Sequence, residues 1–179
     1  MKRFLLKLIP FVIFCAVICI GIPIVIDPCN VFHWEKIRDN GVEINKNYVK
    51  MKYILSNPEK YDTYMFGSSR VGAIHTNNIE NENCYNMTYA MALPKENLAN
   101  LRTFLESDIV PKKIYLGVDS LSYTEDYSKH YSEEIRCPYE YLKSHPLKFV
   151  SLYFNPTNAV KSISVTANYK KEEKLVYNF

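Results

Sequence analysis

The sequence predicts an α/β fold, a parallel sheet with helical connections, carried on one amino-terminal transmembrane helix. Three observations predict it. An uncharged apolar run from Leu8 to Ile26 has the length of a bilayer crossing. Three short β-favouring runs follow, around Thr63–Phe66, Cys84–Tyr89 and Lys113–Asp119. The connections between them are about twenty residues long, and at least one has helical periodicity, so they read as crossovers between parallel strands.

Charge narrows the function classes. Of the 22 basic residues, Lys2, Arg3 and Lys7 precede the apolar run, leaving 19 basic against 19 acidic residues in the remainder. A neutral body does not carry the electrostatic footprint of a nucleic-acid-binding protein. Cys15 and Cys19 fall inside the apolar run and act as small hydrophobes. Cys29, Cys84 and Cys137 allow one disulfide but have no zinc-ligand spacing, and no metal or cofactor motif is expected.

The basic residues before Leu8 place the amino terminus in the cytoplasm and the body outside the cell membrane, as a single-pass protein. A cleaved signal peptide would need small residues before the cut, whereas Ile22-Pro23-Ile24-Val25-Ile26 supplies bulk, so a retained signal-anchor is the preferred reading. A buried core helix leaves the basic flank unexplained. The chain therefore divides into an anchor over 1–27, a linker and amphipathic helix over 28–60, and an α/β domain over 61–179.

Within the body, Asn40-Gly41 marks a turn. Tyr48, Met51, Ile54 and Leu55 recur at helical spacing from about Asn45 to Ser56, with Lys46, Lys50 and Lys52 expected on the other side. Val71 to Ile79 reads as a short helix or loop. Pro94 suits the first turn of a helix whose core face is read as Leu98, Leu101, Phe104 and Leu105. Glu125 to Arg136 reads as a surface excursion. Two Pro-initiated helices follow, from His145 to Phe154 and Pro156 to Tyr169, and the last ten residues carry no evident closing strand.

Chemistry concentrates where the first strand breaks into Gly67-Ser68-Ser69-Arg70. A strand that ends in small residues presents backbone N–H groups and a hydroxyl at the carboxyl edge of a sheet. Taken alone, the tetrapeptide is also compatible with a plain strand-to-helix turn capped by Ser. Asp119 likewise reads as a strand-end turn residue before Ser120.

The wider pattern is more specific. Tyr61-Asp62, an apolar strand and Gly67-Ser68-Ser69-Arg70 are followed by an Asn-containing strand, a Pro-initiated helix and a strand ending Leu116-Gly117-Val118-Asp119. Over roughly residues 45–165 this resembles the membrane-anchored cell-envelope branch of the SGNH/GDSL hydrolase superfamily, which includes accessory factors of alginate acetylation and lipoteichoic-acid D-alanylation. The resemblance implies a partial three-layer, flavodoxin-like SGNH-type domain with serine esterase or O-acyltransferase chemistry on cell-envelope polysaccharide. It also implies a membrane-bound acyl-transfer partner and no cofactor.

By that resemblance Ser69 is the nucleophile at the start of a helix, its own amide contributing to an oxyanion hole helped by the positive helix end. Gly67, Ser68 and Arg70 line the site, Ala90 and Met91 stand in the second block, and Asp119 stands in the third. The second block normally offers a Gly amide and the third an Asn donor; this chain has neither. An ionised Asp119 would repel an oxyanion. The Asp-x-x-His pair that activates the serine does not occur in the 179 residues. His33, His75, His130 and His145 are each read as ordinary surface or loop histidines. The sequence is thus expected to be a truncated member that ends before the base, with an exposed sheet edge and a body that is marginally stable or paired. Two functions follow: an anchored esterase or acyltransferase-family protein, or a non-catalytic remnant or accessory of an envelope-modifying complex.

Overall fold

The computed structural model describes residues 2–37, 42–76, 79 and 82–168. The Asn40-Gly41 turn and the last ten residues of the chain lie outside the described residues. Within them the architecture is α/β, with one three-stranded parallel sheet and one apolar helix at the amino terminus.

That helix runs from α1 (Lys2–Ala16) through a π-helical segment (Val17–Gly21) into α2 (Ile22–Ile26), with Pro10 inside α1 and Pro23 just after the π-helical segment. Leu6–Ile26 is long and apolar enough to cross a membrane. Asp27 terminates it in the left-handed region, φ 43°, and its backbone N–H bonds Pro23 O. The Asp27 carboxylate then accepts the N–H groups of Val31 (2.9 Å), Phe32 (2.8 Å) and His33 (2.7 Å), with His33 Nδ1 at 3.2 Å. One buried carboxylate thereby fixes the angle at which the chain leaves the apolar helix.

Helix α3 (Lys46–Ser56) starts at Asn45, whose side chain accepts the Tyr48 N–H. Strands β1 (Thr63–Phe66), β2 (Cys84–Asn86) and β3 (Lys113–Leu116) pair in the order β2-β1-β3, with Tyr64 level with Tyr85 and Ile114. Residues level in a parallel ladder project from the same face. Phe104 of α4 (Pro94–Glu106) packs on Tyr64 and Phe66, and Tyr53 of α3 stacks on Tyr85, so both helices supply this face. The aromatic core extends through Tyr48, Tyr139, Phe149 and Tyr153. It is carried by α3, by α7 (Pro146–Tyr153) and by the segment before α6 (Glu140–Ser144).

Three sequence expectations are corrected. The buried side of α4 is Glu96, Asn97, Ala99, Asn100, Thr103 and Phe104, while Leu98 and Leu105 are 47% and 51% exposed. Glu96 causes the rotation. Its Oε2 accepts the Leu93 N–H and the Tyr89 hydroxyl, and its Oε1 lies 2.6 Å from His130 Nδ1. A charge with three partners is affordable only inside that network, and it turns the helix's polar side inward. For the same reason His130 is not a surface residue but is 2% exposed, so the excursion that follows α5 (Leu121–Thr124) closes back on the core. Lys50 lies on the buried side of α3 rather than the outer one, its Nζ donating to the carbonyls of Asn86 and Thr88, both at 2.7 Å. Cys29, Cys84 and Cys137, for which the sequence allows one disulfide, are each buried as free thiols. Burial pushes Cys29 and Cys137 up to about 12, so neither ionises near neutral pH.

The last described helix, α8 (Pro156–Asn168), packs beside Val17–Ile26 of the amino-terminal apolar helix.

Burial lowers Lys50 to about 7. The unfolded lysine keeps its proton up to its ordinary range, so above pH 7 the unfolded state binds more protons and stability rises with pH. Denaturant unfolding of the full chain in detergent should show stability increasing from pH 7.5 to 8.5, by at most about 1.4 kcal/mol per pH unit. Lys50→Met should flatten that rise, and an unchanged slope in the variant would assign it elsewhere.

Candidate functional site

Strand β1 is central, and the chain leaves it toward β2 on one side before crossing to β3 on the other. The carboxyl ends of β1 and β3 lie side by side in the sheet, at the edge where open parallel sheets place ligands. Gly67 follows β1 and Gly117 follows β3, and Gly117 donates its N–H to Phe66 O at 2.8 Å. Both positions need glycine. Gly67 has φ 151°, and a Cβ there would lie 3.1 Å from Gly117 O; a Cβ on Gly117 would lie 2.0 Å from Val71 Cγ2. Absence of both side chains lets polar residues of the two loops meet.

Those residues are Ser68 and Asp119. Ser68 is buried and donates its hydroxyl to Asp119 Oδ2, while its Oγ accepts the Arg70 N–H at 3.3 Å. Its carbonyl accepts the N–H groups of Val71 (3.1 Å) and Gly72 (3.2 Å). Every polar group of Ser68 that these bonds use is thus committed to holding the turn. Ser69, one residue on, is exposed at the turn's outer side. Arg70 is also exposed, and its Nη1 donates to Ser120 Oγ at 3.2 Å, joining the two loops. Gly67, Ser68, Arg70 and Asp119 are therefore brought together around Ser69, with Ser120 as an addition.

Ala90 and Met91 are not joined to this turn by any hydrogen bond among the described residues. They sit in a half-buried turn beyond β2, in which Met91 is left-handed at φ 56°. What reaches the Ser-Ser turn from β2 is Asn86, whose Nδ2 donates to Gly72 O at 3.4 Å, and Thr88, which lies so close to Gly72 that a Cβ there would be 2.7 Å from Thr88 Oγ1. Sequence reasoning missed Asn86 and Thr88 as supports of this loop. The strand-ending Asn was the available signal, because its side chain can bond backbone groups of the following residues, as its Oδ1 does here with Thr88 N.

The expected helix after Ser69 is a single 3-10 turn, Val71–Ala73, so a helix macrodipole does not support an oxyanion at this position. Among the described residues no histidine is hydrogen-bonded to Ser69. His33 pairs with Asp27, His145 Nδ1 lies 3.0 Å from Ser144 Oγ, and His75 is exposed. His130 has the carboxylate partner that orients a general base, but it is closed inside the domain with Glu96. No group of three or more His, Cys, Asp or Glu among the described residues is placed to hold a metal.

Gly117→Ala should destabilise the protein by about 1–3 kcal/mol, because Val71 is short, branched and unable to swing clear. Val71→Ala in the same chain should recover most of that loss in a thermal unfolding scan. Additive losses would show that the contact between Gly117 and Val71 does not set the spacing of these loops.

The chain matches no protein-family model, no curated protein and no solved structure.

Proposed function

We propose that the chain is a membrane-anchored, extracytoplasmic protein of the SGNH-like esterase and acyltransferase type that acts on cell-envelope polysaccharide, with Ser69 as its acyl-accepting residue. One observation carries the reading: Ser69 is exposed on the outer side of the turn after β1, while its neighbour Ser68 is buried and bound to Asp119. A turn that needed only a structural serine is already satisfied by Ser68. The second hydroxyl is exposed and is available to a carbonyl carbon.

Acyl transfer at Ser69 requires that its proton leave as the oxygen attacks, and that the developing oxyanion meet donors. Asp119 serves Ser68 in this arrangement, so the base for Ser69 comes from outside the described residues, either from further residues of the polypeptide or from the membrane-bound acyl-transfer partner. Lys2, Arg3 and Lys7 keep the amino terminus in the cytoplasm and set the body on the outer side.

A second reading rests on a different observation. Ile114 and Leu116 on β3 are exposed together with Leu98 and Leu105 on α4, giving the β3 side of the sheet an apolar flank suited to association. Under this reading the body is a non-catalytic accessory of an envelope-modifying complex.

A fluorophosphonate probe separates them. Full-length protein in its native membranes should be labelled, and Ser69→Ala should abolish the label. Unreactive wild-type protein that co-purifies with membrane partners would sink the enzymatic reading and leave the accessory one.

A further inference from the structure

The body carries an apolar cavity of about 640 Å³ far in sequence from the Ser-Ser turn. Its wall includes Pro28 and Cys29, which immediately follow the apolar span, together with Ile135 and with Pro156, Val160 and Lys161 of α8. We propose that this cavity receives an acyl chain of a membrane glycerophospholipid from the leaflet in which the anchor ends. The inference rests on the membrane-anchored reading given above and adds a ligand to it.

Position supplies the first argument. Helix α8 packs along Val17–Ile26, and ten residues of helix span about 15 Å, roughly half the hydrocarbon thickness. A helix held against that part of a spanning segment reaches acyl-chain depth, and the cavity lies between its first turns and the residues that follow the span. The build of α8 agrees. Ala159 and Ser162 are buried, and small residues let helices approach closely where hydrocarbon surrounds them. Val160 and Ile163 are 63% and 48% exposed, side chains that suit lipid better than water.

The lining supplies the second argument. It is dominated by apolar surface, and its volume falls in the range that holds a ligand of acyl-chain size. Lys161 and Glu134 both line it and form an ion pair at 3.2 Å, with Lys161 more than half exposed. Lysine can lay its methylene stem on apolar surface while its ammonium stays at the polar boundary. An apolar pocket with a charged lip, opening where a spanning helix ends, matches the order of a lipid: tail inside, headgroup at the interface.

The test uses the full chain reconstituted in vesicles of phosphatidylglycerol containing a fraction of the same lipid with a diazirine near the end of one acyl chain. After illumination, peptide mapping should place adducts on residues 156–164 and on Pro28 or Cys29, in addition to adducts along Leu6–Ile26. Val160→Trp and Thr157→Trp, which each fill the cavity from α8, should lower the cavity adducts at least fivefold while leaving the anchor adducts unchanged. Adducts confined to Leu6–Ile26 in the wild type, or cavity adducts insensitive to both variants, would overturn the lipid site while leaving the anchor intact. Absence of adducts along Leu6–Ile26 as well would instead remove the anchored reading on which the site depends.

Discussion

The carboxylate of Glu96 is the constraint on which the body depends. It is fully buried, and its partners come from three places: the Leu93 amide at the start of its own helix, the Tyr89 hydroxyl from the loop after β2, and His130 from a segment 34 residues further along. The network continues, since Tyr89 also accepts from Asn47, and Asn47 accepts the Tyr139 N–H. Asn45 adds donations to Cys137 O and to the Tyr153 hydroxyl. Burial and the negative charge of Glu96 push the Tyr89 hydroxyl well above its ordinary range, which keeps it a donor. Side-chain amides and one carboxylate thus join α3, the β2 loop, α4 and the whole region from His130 to Tyr153. Such a network is costly if any member is missing, and for that reason it specifies one arrangement.

The candidate site follows from a second constraint at the other strand end. Glycines after β1 and β3, with Val71 wedged against both, allow the two loops to approach until Ser68 and Asp119 share a hydrogen bond. This arrangement gives Asp119 a role that the resemblance alone does not. A carboxylate facing an oxyanion would be repulsive, whereas one that accepts from Ser68 stiffens the loop on which Ser69 is displayed. The geometry separates the two serines, with Ser68 buried in the frame and Ser69 exposed.

Much of the fold was legible because it depends on local pattern: the apolar span, the three strands in parallel, the α3 start at Asn45, and the Pro-initiated helices α7 and α8. What was not legible depends on long-range polar contacts. Leu98, Leu101 and Leu105 have the spacing of a core stripe, yet Leu98 and Leu105 face outward because Glu96 is held inside by partners far away in sequence. Lys50 looked like a solvated charge, and only the placement of the Asn86 and Thr88 carbonyls makes it a buried donor. His130 gave no sequence signal of burial. In the site, Gly67, Ser68, Ser69, Arg70 and Asp119 were readable as a turn and a strand end, whereas the hydrogen bond that selects Ser68 over Ser69 as the structural serine required the register of β1 and β3.

A double-mutant cycle on Glu96 and His130 tests the central claim most directly. Unfolding free energies of the wild type, Glu96→Gln, His130→Phe and the double variant, measured by denaturant titration of the full chain in detergent, give the coupling between the two side chains. The account predicts a strongly non-additive cycle, with a coupling of about 1–3 kcal/mol. Losses that add to within about 0.5 kcal/mol would contradict it, because Glu96 and His130 would then be two independent buried groups and not the joint that closes the body.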